Sequence, residues 1–187
     1  NINPLLPFFV SLLLTTLFSG PAACAAVTFF GSVNPVPPGD GDVESTLAVG
    51  VQGDDNPSLQ GFVRIDVGDQ IEYDALILGD DEGYRGEMVI SGQLQPGAQP
   101  SLTLEEAGTS SAPTAQIGHE GIGHLTVATG GALLFENTNA DLGLGVETTG
   151  VGTMVVTGSQ SMVLIPATQT IGNAGIGRME ILDGGFV

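Results

Sequence analysis

Three groups of residues in this chain have types that could do chemistry. His119, Glu120 and His124 place two imidazoles and a carboxylate within six positions. That is the residue set of a zinc-protease helix, which needs its histidines four apart on one helical face. Here the spacing is five, and Gly121 and Gly123 break any helix. His124 falls instead on the outward side of a strand, and both histidines read as surface residues without a partner. The second group is acidic: Asp54 and Asp55 with Asn56, Asp80 and Asp81 with Glu82, and Glu105 with Glu106. Oxygen-rich loops suit Ca²⁺, which takes six to eight oxygen ligands. Neither an EF-hand loop nor the nonapeptide of calcium β-rolls is present, so solvated acidic turns are the simpler reading. Calcium stays as the alternative cofactor, with Asp54, Asp55, Asp80, Asp81 and Glu82 as its weak candidate ligands. The third group is Arg85 beside Asp80 to Glu82, the kind of basic and acidic neighbours that glycan-cleaving β-helix enzymes use. A turn ion pair accounts for it equally well. A hydrolase could work with two carboxylates alone, provided they face each other across a groove. No Ser/His/Asp or Cys/His arrangement emerges, and no catalytic or cofactor-binding residue is assigned.

Composition narrows the partners. Three basic residues, all arginine, stand against 21 acidic ones, for a net charge of −18. Such a chain repels phosphate backbones and anionic membrane surfaces, which removes nucleic acids and lipid headgroups as partners. Neutral glycans, cations and other surface proteins remain. A 42% hydrophobic content excludes a disordered chain, and 29 Gly without a Gly-X-Y period fit many turns between short strands.

No charge occurs in residues 1–26, where Leu5 to Phe18 form an apolar run before the small residues Ser19 to Ala26. That is the pattern of a secretory signal peptide cleaved after Ala25 or Ala26. Cleavage removes Cys24, the sole cysteine. The mature chain is then expected outside the cytoplasm, off the membrane and without a disulfide. Residues 27–46, rich in proline, read as a lead-in, with one strand at 27–30 covering the first coil.

The elements that position everything else are repeats. Ile117, Gly118, Gly121, Ile122, Gly123, Gly130 and Gly131 recur without a gap at Ile171, Gly172, Gly175, Ile176, Gly177, Gly184 and Gly185, a period of 54 residues. Residues 78–92 match 144–158 in the same way, at a spacing of 66. The frame threads five times through residues 47–187. Alternation along its strands puts Val63, Met88, Leu125, Met154 and Met179 in one column and Ile65, Ile90, Val127, Val156 and Ile181 in the next. Every member is apolar. A half-period of 27 residues holds three short strands with turns, assigned in the third unit to 125–128, 132–136 and 140–144. Connections so short exclude helical crossovers. The expected fold is therefore all-β, a β-solenoid of about five stacked coils, each wrap roughly 4.8 Å above the last. The extra 12 residues of the longer spacing divide into two six-residue insertions between 93 and 114, aligning Ser101 with Ser161. A unit that breaks off at Val187 implies that further coils of the same chain follow.

The frame at 117–131 and 171–185, alternating with the one at 78–92 and 144–158, resembles the repeat associated with autotransporters (type V secretion) and PEP-CTERM-sorted exported proteins. The resemblance spans residues 47–187 and is weakest in the first unit, where 52–60 replace a short loop. It implies an exported bacterial β-solenoid, displayed on a surface or in an extracellular matrix, with a structural or adhesive role. A polysaccharide-active β-helix enzyme and a calcium-binding adhesin are the alternatives.

Overall fold

The computed structural model of the chain describes residues 27–35, 46–52, 60–66, 68–92, 99–105, 114–136, 139–165 and 168–187. The segment 1–26 and the acids Asp54 and Asp55 lie outside the described residues. Sixteen strands occur among those described, and no helix long and apolar enough to cross a membrane. The lead-in supplies β1 (Thr28–Gly31) and β2 (Val33–Pro35). Three strands per wrap follow. The first wrap is β3 (Thr46–Val49), β4 (Gln60–Ile65) and β5 (Gln70–Tyr73), and the second is β6 (Ala75–Leu78), β7 (Arg85–Ser91) and β8 (Ser101–Leu104). The third is β9 (Thr114–Ile117), β10 (Ile122–Ala128) and β11 (Ala132–Phe135), and the fourth is β12 (Asp141–Leu144), β13 (Val151–Thr157) and β14 (Met162–Leu164). Then β15 (Thr168–Ile171) and β16 (Ile176–Leu182) begin another, joined by a bridge from Phe186 to Met162.

Strands at equivalent places in successive wraps pair in parallel and form three sheets. The first runs β1-β4-β7-β10-β13-β16, the second β5-β8-β11-β14, and the third β2-β3-β6-β9-β12-β15. The chain is an all-β solenoid of about four turns. Five sequence frames complete four turns because the last contributes only two strands and a bridge.

The register places the core columns as the alternation requires. Met88 pairs with Val63 and Leu125, and Met154 with Leu125 and Met179. The neighbouring column runs Ile65, Ile90, Val127, Val156, Ile181 through the same ladders. Eight of these ten residues, from Val63 through Val156, are fully buried. Removing that much apolar surface from water is the main stabilising term, about 1.5–3 kcal/mol for each fully buried large side chain. No described strand lies on β15 and β16, so Ile181 is 50% exposed and Ile171, whose ladder partner Leu144 is buried, is 48% exposed. At the opposite end β1 and β2 pair antiparallel with β4 and β3. Antiparallel partners cannot continue a parallel wrap, so they occupy the first edges of two sheets and end the stack there.

Two glycines per wrap explain the recurring frame. Gly118 sits at φ +69°, and a Cβ built on it would lie 2.3 Å from the Val151 carbonyl. Gly152, opening β13, would place a Cβ 1.9 Å from the Ile117 oxygen. Backbone of the adjacent wrap fills the space where a side chain would go, so only glycine allows the close approach.

The second sheet departs from expectation. Ser101 pairs with Ala132, which pairs with Met162, so Ser101 aligns with Met162 and not with Ser161. Val163 accordingly points inward and is buried, while Leu164 is 43% exposed. The similarity of residues 101–104 to 161–164 misleads because both read as alternating segments one step out of phase. The extra residues therefore divide as five between β7 and β8 and seven between β8 and β9, instead of six and six. Ser161 occupies the preceding corner, where its buried Oγ donates to the Thr157 carbonyl at 2.7 Å and accepts from the Gly130 amide at 3.0 Å.

Candidate functional site

The candidate residues do not converge on one place. They distribute over the corners and outer faces of the solenoid, where stacking at one wrap spacing brings sequence-distant residues together. At the corner between the third and first sheets, His119 lies one wrap above Asp80, and its Nδ1 is 3.0 Å from the Asp80 Oδ1. Both side chains are part-buried. The partner of His119 is thus 39 residues away, a pairing hidden from sequence by the insertion between the two wraps. His124 is on the outer face of β10, in the column with Thr153 and Arg178, and its Nε2 lies 3.3 Å from the Thr126 Oγ1. The two histidines sit on different elements, a turn and a strand, so they do not share a face as a zinc helix would require.

The acids behave as stacking residues. Asp81 accepts the Gln52 amide at 2.6 Å and ties the first wrap to the second. Glu120 and Glu147 follow Asp81 up the same corner, held by backbone bonds from Glu120 to Asp80 and from Glu147 to His119. Glu82 is exposed. Among the described residues, no group of three or more His, Cys, Asp or Glu lies close enough together to hold a metal ion.

A second acidic ladder follows the second sheet. The Glu105 amide bonds the Tyr73 carbonyl and the Glu136 amide bonds Leu104, so Asp74, Glu105 and Glu136 stack over one another. Burial, and then the charges of Glu72, Glu136 and Asp74, raise the Glu105 pKa above the ordinary glutamate range. The folded state therefore holds this proton more tightly than the unfolded chain does. Stability contributed by protonating Glu105 is present at low pH and is lost as pH rises through the folded pKa. Glu105→Gln removes the repulsion, so it should stabilise the protein at pH 7 by less than about 1 kcal/mol, roughly 2 °C in Tm. Below about pH 4, where the acid is protonated in both states, the gain should vanish. Paired thermal melts at the two pH values check this. Burial likewise raises the pKa of Tyr73, whose ring lies in the core column with Leu104 and Phe135.

All three arginines are engaged with the acid two positions further along the chain. Arg64 Nε is 2.7 Å from Asp66 Oδ1, Arg85 is 3.5 Å from Glu87 Oε2, and Arg178 contacts Glu180. Residues two apart share a strand face, which is why an Arg-x-acid spacing closes a pair here. Arg85 opens β7 instead of sitting in a turn, and its partner is Glu87 instead of the Asp80 to Glu82 cluster. These exposed pairs are worth about 0.2–1 kcal/mol each. No protein-family model, curated protein or solved structure matches this chain.

The outer face of the third sheet carries a feature that sequence reasoning missed. A groove of about 340 Å³ crosses β9, β12 and β15, and Gly143 of the middle strand is in its lining. Its polar lining is Thr114, Gln116, Asp141, Thr168, Thr170 and Asn173. The signal was present in the ladder: the outer column containing Gly143 reads Ala48, Ile77, Gln116, Gly143, Thr170.

Proposed function

We propose that this chain belongs to an exported bacterial surface or extracellular-matrix protein whose role is structural and adhesive, without catalysis. The observation that carries this reading is the uninterrupted core: the same two columns run from Val63 to Val156 buried and in register. A fold built that way resists bending and keeps its variable residues on faces and corners, which suits holding surfaces away from a cell. Several of its polar side chains hold wraps together, as with His119 on Asp80 and Asp81 on the Gln52 amide. The charge-free apolar segment at 1–26 supports export as a signal peptide, and the repeat frame supports the kinship with autotransporter and PEP-CTERM-associated repeats. Strong negative charge keeps an extracellular rod soluble and away from nucleic acid and anionic lipid.

Shaving intact cells that express the full-length gene with an added protease tests the location. Solenoid peptides released into the medium while a cytoplasmic marker stays intact are the expected result. Retention of the protein inside unbroken cells contradicts the reading.

A further inference from the structure

The groove on the third sheet is a local break in an otherwise repetitive surface. Stacking does not require glycine at position 143: its φ is not in the left-handed region, and equivalent strands carry Ala48, Ile77, Gln116 and Thr170. Glycine inside a strand is less stable than alanine would be there. Its effect here is to open space beside Val146, whose Cγ2 would lie 2.8 Å from any Cβ at 143. The corner column that holds Asp80, His119 and Asn173 carries that valine in the same wrap. Asp141 is the one acid in a column otherwise made of Thr46, Ala75, Thr114 and Thr168. One departure from a threonine- and alanine-rich column, a missing side chain at Gly143 and a small apolar wall thus coincide in one wrap.

The chemistry of the lining selects the ligand. Thr114, Thr168 and Thr170 offer hydroxyls that donate and accept, Gln116 an amide that does both, and Asp141 a single carboxylate. Asp141 is exposed and Gln116 part-buried, and both line the groove. Asn173 Nδ2 reaches the Val146 carbonyl at a marginal 3.4 Å. The backbone of β12 is already paired on both sides with β9 and β15, so a peptide cannot add a strand at the Gly143 position, although β15 is the last described strand of its sheet. One negative charge and a net charge of −18 disfavour an anionic ligand. We propose that this groove binds a neutral saccharide, with ring hydroxyls on Asp141, Gln116 and the threonines and an apolar ring face against Gly143 and Val146. The proposal rests on the adhesive reading and names its ligand class.

Saturation-transfer NMR on the purified 187-residue chain tests it, with neutral glucose, galactose and mannose oligomers as probes and tetra-alanine as a peptide control. Transfer to at least one saccharide and none to the peptide is expected. Asp141→Ala and Gln116→Ala should each reduce that signal at least fivefold, while Asp141→Asn retains it, with circular dichroism showing every variant folded. Transfer to tetra-alanine alone, to no probe, or undiminished transfer in folded Asp141→Ala and Gln116→Ala overturns the proposal. The purified chain reports on the groove alone, so any such result leaves the protease-shaving outcome on intact cells to judge the surface reading separately.

Discussion

Gly152→Ala should prevent the central wraps from stacking, because the added methyl meets the closest backbone approach among the described glycines. The added Cβ would lie 1.9 Å from the Ile117 oxygen, 2.4 Å from the Gly145 nitrogen and 2.9 Å from the Ile117 carbonyl carbon. Those same two atoms, Gly145 N and Ile117 O, form a 2.9 Å hydrogen bond that ties the fourth wrap to the third. The methyl therefore lands on a ladder bond, and no flexible side chain is available to yield. Relief requires separating the wraps, which breaks pairing along β9–β12 and β10–β13 together. Urea titration followed by circular dichroism should show loss of the cooperative transition, or a stability loss of more than about 4 kcal/mol, the range reserved for a disrupted core or backbone. Gly83→Ala is the matched control. Gly83 has φ +83° but nothing within 4 Å of a Cβ, so only the left-handed strain remains, about 1–2 kcal/mol. Equal effects at the two positions would mean that backbone contact between wraps does not set the glycine frame.

Leu125→Ala should destabilise the protein by about 2–5 kcal/mol, through lost transfer energy and the cavity left in the core. Leu125 is fully buried between Met88 and Met154, which are themselves fully buried. For a chain of this size that is a fall in Tm of roughly 10 °C. Ile181→Ala, in the adjacent column, should be much milder because half of Ile181 already faces solvent. The gradient along the stack is the informative quantity. A nearest-neighbour fold distributes its stability by how many wraps flank a residue, so interior truncations should outrank terminal ones. Comparable losses at Leu125 and Ile181 would contradict a stacked core.

The core was readable from sequence because stacking converts a period into a contact. Once Gly123, Gly152 and Gly177 align, Leu125, Met154 and Met179 have no choice of neighbour. The strands of the third unit also fall within a few residues of their expected bounds, at Ile122–Ala128, Ala132–Phe135 and Asp141–Leu144. β1 is found where the lead-in strand was expected, but β2 was missed, since Val33 to Pro35 is three residues ending in proline. The second sheet went one residue out of phase because no glycine marks its start as clearly, and Ser101 resembled Ser161. Surface chemistry was much less legible. Corner residues such as His119 and Asp80 meet only after the insertion is subtracted, and Arg85 chose a partner two residues away over the nearby acidic run. The groove escaped because a glycine in a Gly-rich repeat carries no visible exception until Gly143 is set beside Gln116 and Thr170 in the ladder.

Disulfide trapping across β10 and β13 tests the stacked register most directly. His124 and Thr153 are ladder partners on the outer face, and neighbouring strands place their Cα atoms about 5 Å apart, within disulfide range. Val155, on the same face but two residues along, sits beyond that range for His124. In a Cys24→Ser background, the pair His124→Cys with Thr153→Cys should close an intramolecular disulfide under mild oxidant, seen as loss of both thiol hydrogens by mass spectrometry. His124→Cys with Val155→Cys should stay reduced. A bond in the second pair, or none in the first, would show that these strands do not lie one above the other as the solenoid requires.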